Sequence, residues 1–88
     1  MNFTIYMEST PNPEVMKFVA NKILTEDSIE LLNNKNSDQV PLAMELFKFP
    51  FIKSIFISYN FISITKNNDI DWHEISTEVR ELINDYLN

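Results

Sequence analysis

The densest group of chemically capable side chains is Asp69, Asp71, His73 and Glu74, three carboxylates beside the only histidine of the chain. Such a set offers oxygen and nitrogen donors to a divalent ion, with Asp69, Asp71 and His73 as the candidate ligands. The same residues also have a structural reading. Asp71 precedes an amphipathic run and Glu74 follows three residues later, the spacing of a capping box. His73 then falls at the second helical position, and adjacent helical residues do not converge on one point. With one imidazole available, no bound metal is expected. A Ser-His-Asp triad would need that same ring as its base, and no strained serine turn is visible to present a nucleophile. No catalytic residue is assigned, and enzyme activity is not expected.

What the alphabet omits narrows the field further. The 88 residues include no cysteine, which removes disulfides, thiolate zinc, cysteine-ligated iron–sulfur clusters and a thiol nucleophile together. They include no glycine either, so a P-loop, a dinucleotide fingerprint and an EF-hand loop cannot be written. Thirteen Asp and Glu against seven Lys and Arg give a net charge of −6, which argues against nucleic acid or an anionic membrane as partner. No apolar run approaches the ~20 residues of a membrane span, and the N-terminus lacks a basic-then-apolar leader. The expectation is one soluble, cytoplasmic domain over residues 1–88, whose seven Phe supply core bulk that a short chain needs.

The elements that must position these groups follow from periodicity. Residues 2–8 alternate, with Phe3, Ile5 and Met7 on one side, and residues 15–21 alternate again, with Met16, Phe18 and Ala20 together. Between them Thr10-Pro11-Asn12-Pro13 breaks the chain, so the two strands form a hairpin with a rigid loop. Residues 28–32 suggest a short edge strand. Residues 41–48 suggest a helix with Pro41 in its first turn and Pro50 ending it. Residues 52–58 and 61–66 are β-branched and aromatic, joined at Tyr59-Asn60, where Asn60 is expected to take the left-handed position. Trp72, Ile75, Val79, Leu82, Ile83 and Tyr86 form one helical stripe over residues 71–87. The fold class is therefore α+β: a two-layer sandwich with a mainly antiparallel sheet of four to five strands, and two helices on one face.

Three features could serve contact rather than chemistry. The loop of Thr10, Pro11, Asn12 and Pro13 reads either as a stiff connector or as a recognition loop that binds at low ordering cost. Lys17 beside it reads as a solvated charge, and Trp72 as the anchor of the last helix. Glu74, Glu78, Glu81 and Asp85 share one narrow stripe of that helix with no basic partner at i+3 or i+4, because Arg80 faces Ser76, Thr77, Ile83 and Asn84. The stripe is either a solubilising face or a steering surface for a basic partner.

Taken in order, Glu8-Ser9-Thr10-Pro11-Asn12-Pro13 with Met16-Lys17-Phe18, then Pro41-Leu42-Ala43 with Leu46-Phe47, then the segment 61–66 and Asp71-Trp72, resemble the N-terminal domain of Nfu-type (NifU-like) iron–sulfur cluster scaffold proteins. The resemblance runs from about Thr4 to the end of the last helix. It implies a non-catalytic accessory domain of cluster assembly, found ahead of a cysteine-bearing scaffold domain whose Cys-x-x-Cys pair holds the cluster. Iron binding is implied at the family level only, and no cofactor is expected on this chain. The implied partners are that scaffold domain or iron–sulfur client proteins. A rival reading is a small acidic adaptor that shares the fold alone. Two positions depart from the family pattern. Val40 replaces the usual serine before Pro-Leu-Ala, leaving Ser37 or Asp38 as substitute caps, and Phe49-Pro50-Phe51 occupies a stretch that usually carries glycine.

Overall fold

Alternating apolar residues, three proline-marked breaks and one long amphipathic run resolve into a single sheet carrying two helices. The computed structural model describes residues 2–33 and 35–88. The order is β1 (Ile5–Ser9), β2 (Val15–Ala20), β3 (Ser28–Leu32), α1 (Pro41–Leu46), β4 (Ile52–Ser58), β5 (Phe61–Lys66) and α2 (Trp72–Leu87), with a 3-10 turn at Ser37–Gln39 before α1. The five strands lie in the order β1-β2-β5-β4-β3, every neighbouring pair antiparallel. The α+β expectation holds, and the short third strand is present at the sheet edge.

The period-2 pattern decides which face is covered. Phe18 lies opposite Ile62, Ile64 opposite Ile55, and Ile55 opposite Leu31, all on one face. None of these five is more than 1% exposed, and Val79 and Ile83 of α2 with Ala43 and Leu46 of α1 close over them. Fully burying one such aliphatic or aromatic side chain is worth roughly 1.5–3 kcal/mol, so this layer contact dominates the fold. The other face stays open. There Lys17 reaches over the Phe61 ring at 4.3 Å and pairs with Glu8 at 3.6 Å, while Phe56 sits 6.1 Å from Phe61. Lys17 is thus a half-buried cation held on an aromatic ring rather than a freely solvated charge.

Several local expectations are corrected. Asp71 and Glu74 do not form a capping box: Asp71 is extended at φ −93° and ψ 143°, makes no side-chain cap bond, and only its carbonyl accepts the Glu74 N–H at 2.9 Å. Val40 likewise makes no side-chain cap, and Ser37 and Asp38 belong to the 3-10 turn instead of replacing it. The left-handed turn residue is Tyr59, at φ 48°, not Asn60. The reason is the load each residue carries. The Tyr59 carbonyl accepts the N–H groups of Leu24 and Thr25, fastening the β2–β3 connection, while Asn60 exchanges bonds with the Ala20 backbone through its carbonyl and side-chain amide. Tyr86 is 47% exposed and leaves the buried stripe of α2, and Leu82 is half-buried. Phe49 and Phe51 stack on each other at 5.0 Å and pack against the core, using their rings where a glycine would have left space.

Both sheet edges meet an asparagine. β1 begins at Ile5 rather than at residue 2, because Phe3 has turned its backbone to another partner. Its N–H donates to Asn88 Oδ1 at 2.8 Å and its carbonyl accepts from Asn88 Nδ2 at 3.1 Å, so a side-chain amide stands in for a neighbouring strand. At the far edge Asn36 does the same for β3. Its Oδ1 accepts the Leu32 N–H and its Nδ2 donates to the Glu30 carbonyl, both at 2.8 Å, and the Leu32 carbonyl accepts the Lys35 N–H. Blocking exposed strand edges in this way limits unwanted pairing.

Candidate functional site

The loop of residues 10–13 is held from inside. The Thr10 hydroxyl accepts the Asn12 N–H at 3.2 Å, and the Asn12 and Val15 carbonyls lie 2.9 and 3.1 Å from it as acceptors. Asn12 Oδ1 accepts the Glu14 N–H, and the Asn12 carbonyl accepts the Val15 N–H, each at 3.0 Å. This is the side-chain-to-backbone turn chemistry for which Thr and Asn are suited. The prolines fix φ, and the hydrogen bonds fix the rest, so the loop is ordered before anything touches it.

Trp72 binds that loop to the core. Its ring meets Phe18 edge-on, with centroids 5.7 Å apart, and its Nε1–H donates to the Glu14 carbonyl at 3.0 Å. The Lys66 N–H reaches the same carbonyl at 3.0 Å, so one acceptor joins loop, central strand and helix. Between loop, β1 and the first turns of α2 lies a groove of about 430 Å³. Its walls are Thr10, Asn12 and Pro13 on one side, Met7 and Met16 on its floor, and Trp72, His73 and Ser76 on the other. Unbranched thioethers beside a rigid loop make a surface that can adapt to another side chain.

The site residues named from sequence separate into distinct places. Thr10, Asn12 and Pro13 line the groove, whereas Lys17 points to the opposite face of the sheet and joins neither the loop nor Trp72 in a common surface. Glu74, Glu78, Glu81 and Asp85 are all exposed, on the side of α2 away from its buried stripe. Asp69, Asp71 and His73 are not brought together: Asp69 lines a shallow crevice with Phe51, Asn67 and Ile70, and His73 borders the groove. Among the described residues, no three acidic, histidine or cysteine side chains form a group able to hold a metal ion. Met7, Met16 and Ser76 line the groove without any motif in the sequence that marks them, and Lys66 ends β5. Lys66 is in fact 4% exposed, with its amine donating to the Asn67 carbonyl at 3.0 Å. Its parity with Ile62 and Ile64 was the signal.

The comparisons with known proteins decide the family. Residues 5–88 match the family described as "Scaffold protein Nfu/NifU N terminal". The chain belongs to this family. It is 31% identical over 85 residues to the human mitochondrial NFU1 iron–sulfur cluster scaffold homolog, a match covering 94% of this chain and 34% of that protein. It is 26% identical to the mitochondrial NifU-like protein 5 of Arabidopsis thaliana, over 93% of this chain and 30% of that one. The chain therefore spans about a third of the length of the curated relatives it matches. Among solved structures, a Saccharomyces cerevisiae NifU-like protein superposes with a TM-score of 0.84 over 98% of this chain and 79% of that chain, at 24% identity, which speaks to fold alone. A crystal structure of a Staphylococcus aureus protein gives a TM-score of 0.74 at 26% identity, over 94% of this Nfu/NifU-type chain and 99% of that one.

The human relative is named for an iron–sulfur cluster scaffold. The donor set of this chain does not fit a cluster: it has no cysteine and a single histidine.

Proposed function

We propose that residues 1–88 act as one non-catalytic interaction domain in iron–sulfur cluster assembly. It binds no cluster or other cofactor itself and works through contacts with a cysteine-bearing scaffold domain or with cluster-receiving proteins. The observation that carries this reading is the pre-ordered loop and its groove in a chain of the Nfu/NifU N-terminal family that has no thiolate to offer. Rigid loops bind without a large ordering cost, and Trp72 locks this one to the sheet. Among the described residues no helix is long and apolar enough to cross a membrane. Cytoplasmic placement is part of the proposal, tested by fractionation, since the human and Arabidopsis relatives carry mitochondrial names.

Affinity capture with the intact chain as bait tests the reading. Recovery of scaffold or cluster-receiving proteins, lost when Asn12 and Pro13 are both replaced by alanine, supports it. A reproducible set of partners with no connection to iron–sulfur chemistry would favour the acidic adaptor instead.

A further inference from the structure

We propose that β1 is a docking edge that takes an extended segment of a partner protein as an added strand. An apolar side chain of that segment enters the groove beside Trp72, and a carboxylate two residues along meets Arg80. The proposal deepens the interaction reading and rests on it only in treating the groove as a contact surface.

In an antiparallel pair, residues alternate between pointing both backbone groups at the neighbour and pointing both away. The Thr4 carbonyl accepts the Asn21 N–H, so Thr4, Tyr6 and Glu8 address β2. Phe3 shows the opposite parity directly, since both of its groups bond Asn88 outside the sheet. Ile5, Met7 and Ser9 therefore turn N–H and C=O away from β2, and among the described residues nothing bonds them. The contrast with β3 is sharp, because there Asn36 and Lys35 occupy the Glu30 carbonyl and both Leu32 groups. The β3 edge is closed over its final turn of chain, from the Glu30 carbonyl to Leu32. The other is closed at Phe3 and open for the next three outward residues.

Strand addition draws affinity from main-chain bonds and specificity from pockets for alternate side chains. The groove supplies the pocket, since Met7 and Ser9 of this edge line it together with Met16, Trp72 and His73. The charge comes from the flank of α2 beside β1. Ser76 lines the groove, and Asn84 bonds Asn88, which holds Phe3. Arg80 lies between Ser76 and Asn84, one turn from each, on the same row of the helix. That row carries no carboxylate; the acidic stripe is on another side of α2. Among the described residues Arg80 makes no ion pair. One helical turn of ~5.4 Å matches about two strand residues at ~3.3 Å each, which sets the apolar-x-acidic spacing. A second copy fits less well, because β1-on-β1 pairing would bring two Arg80 flanks to one junction and join two chains of net charge −6.

The test is titration of the intact protein with a blocked synthetic peptide, Thr-Val-Thr-Leu-Thr-Glu-Thr-Val, read by amide spectra and hydrogen exchange. Binding should slow exchange at Ile5, Met7 and Ser9. N-methylating alternate peptide residues in one phase should abolish binding, while the other phase leaves it intact. Arg80→Glu should weaken the peptide about threefold and improve a peptide with lysine in place of glutamate. Equal binding of both methylated series, or no protection at those amides, overturns the docking edge. Unchanged affinity in Arg80→Glu overturns the carboxylate assignment. Protection that rises with protein concentration alone makes a second copy the occupant and overturns the partner segment. Failed affinity capture would remove the cluster-assembly context and leave this edge standing.

Discussion

At the scale of single residues, Trp72 links loop, sheet and helix through one side chain. It packs on Phe18, donates to the Glu14 carbonyl and walls the groove. Trp72→Ala should destabilise the fold by ~3–5 kcal/mol, the range for truncating a buried aromatic, measured as a lower denaturant midpoint with an unchanged slope. His73→Ala, one residue on and exposed, should leave that midpoint in place. A large loss at His73 would mean that its ring has a structural partner. The loop adds a second kind of residue-level specificity. Thr10 and Asn12 act through local bonds that a sequence can advertise, since both residue types favour turns for stated reasons. Lys66 acts through burial. Its side chain had to follow Ile62 and Ile64 to the covered face because strand parity leaves no other direction.

At the scale of elements, the sheet edges and the outer stripe of α2 give opposite predictions. Asn36→Ala removes the amide that closes β3, so the variant should self-associate at concentrations where the parent stays dispersed, as sedimentation would show. Reversing Glu78 and Glu81 to Lys leaves the buried face of α2 untouched. It should slow association with a basic partner and flatten the salt dependence, because surface charge acts mainly on association rate. Identical kinetics at low salt would assign the stripe to solubility. What was legible in sequence sorts along the same line. Alternation in residues 15–20 and 61–66 and the spacing of Trp72, Ile75, Val79 and Ile83 revealed strands, helix and covered face. The helix caps were not legible, since a capping box needs a rotamer that Asp71 does not adopt. Nor were the edge closures, since Phe3 and Asn88 sit 85 positions apart and no local pattern links them. The groove was half legible: its loop was visible, and its methionine floor was read only as strand.

At the scale of the whole molecule, an acidic chain without thiols belongs to the Nfu/NifU N-terminal family, and its human relative is named for an iron–sulfur cluster scaffold. Anaerobic incubation with iron and sulfide should leave no cluster absorbance after desalting, because no thiolate is present to ligate iron. A stable chromophore would require ligands from oxygen and the one imidazole, and would overturn the division of labour proposed above. The clasp between Phe3 and Asn88 has a further consequence, in the order of events on the ribosome. β1 and β2 are made well before β5, so the inner side of β2 has no neighbour until β5 follows, and Phe3 has none until Asn88 has been added. At ~5–20 residues per second the hairpin waits seconds with unpaired backbone on both sides. The approach to the first strand is finished by a side chain 85 positions after Phe3, and until that residue is made the nascent chain offers any passing strand a pairing that the folded one has largely withdrawn.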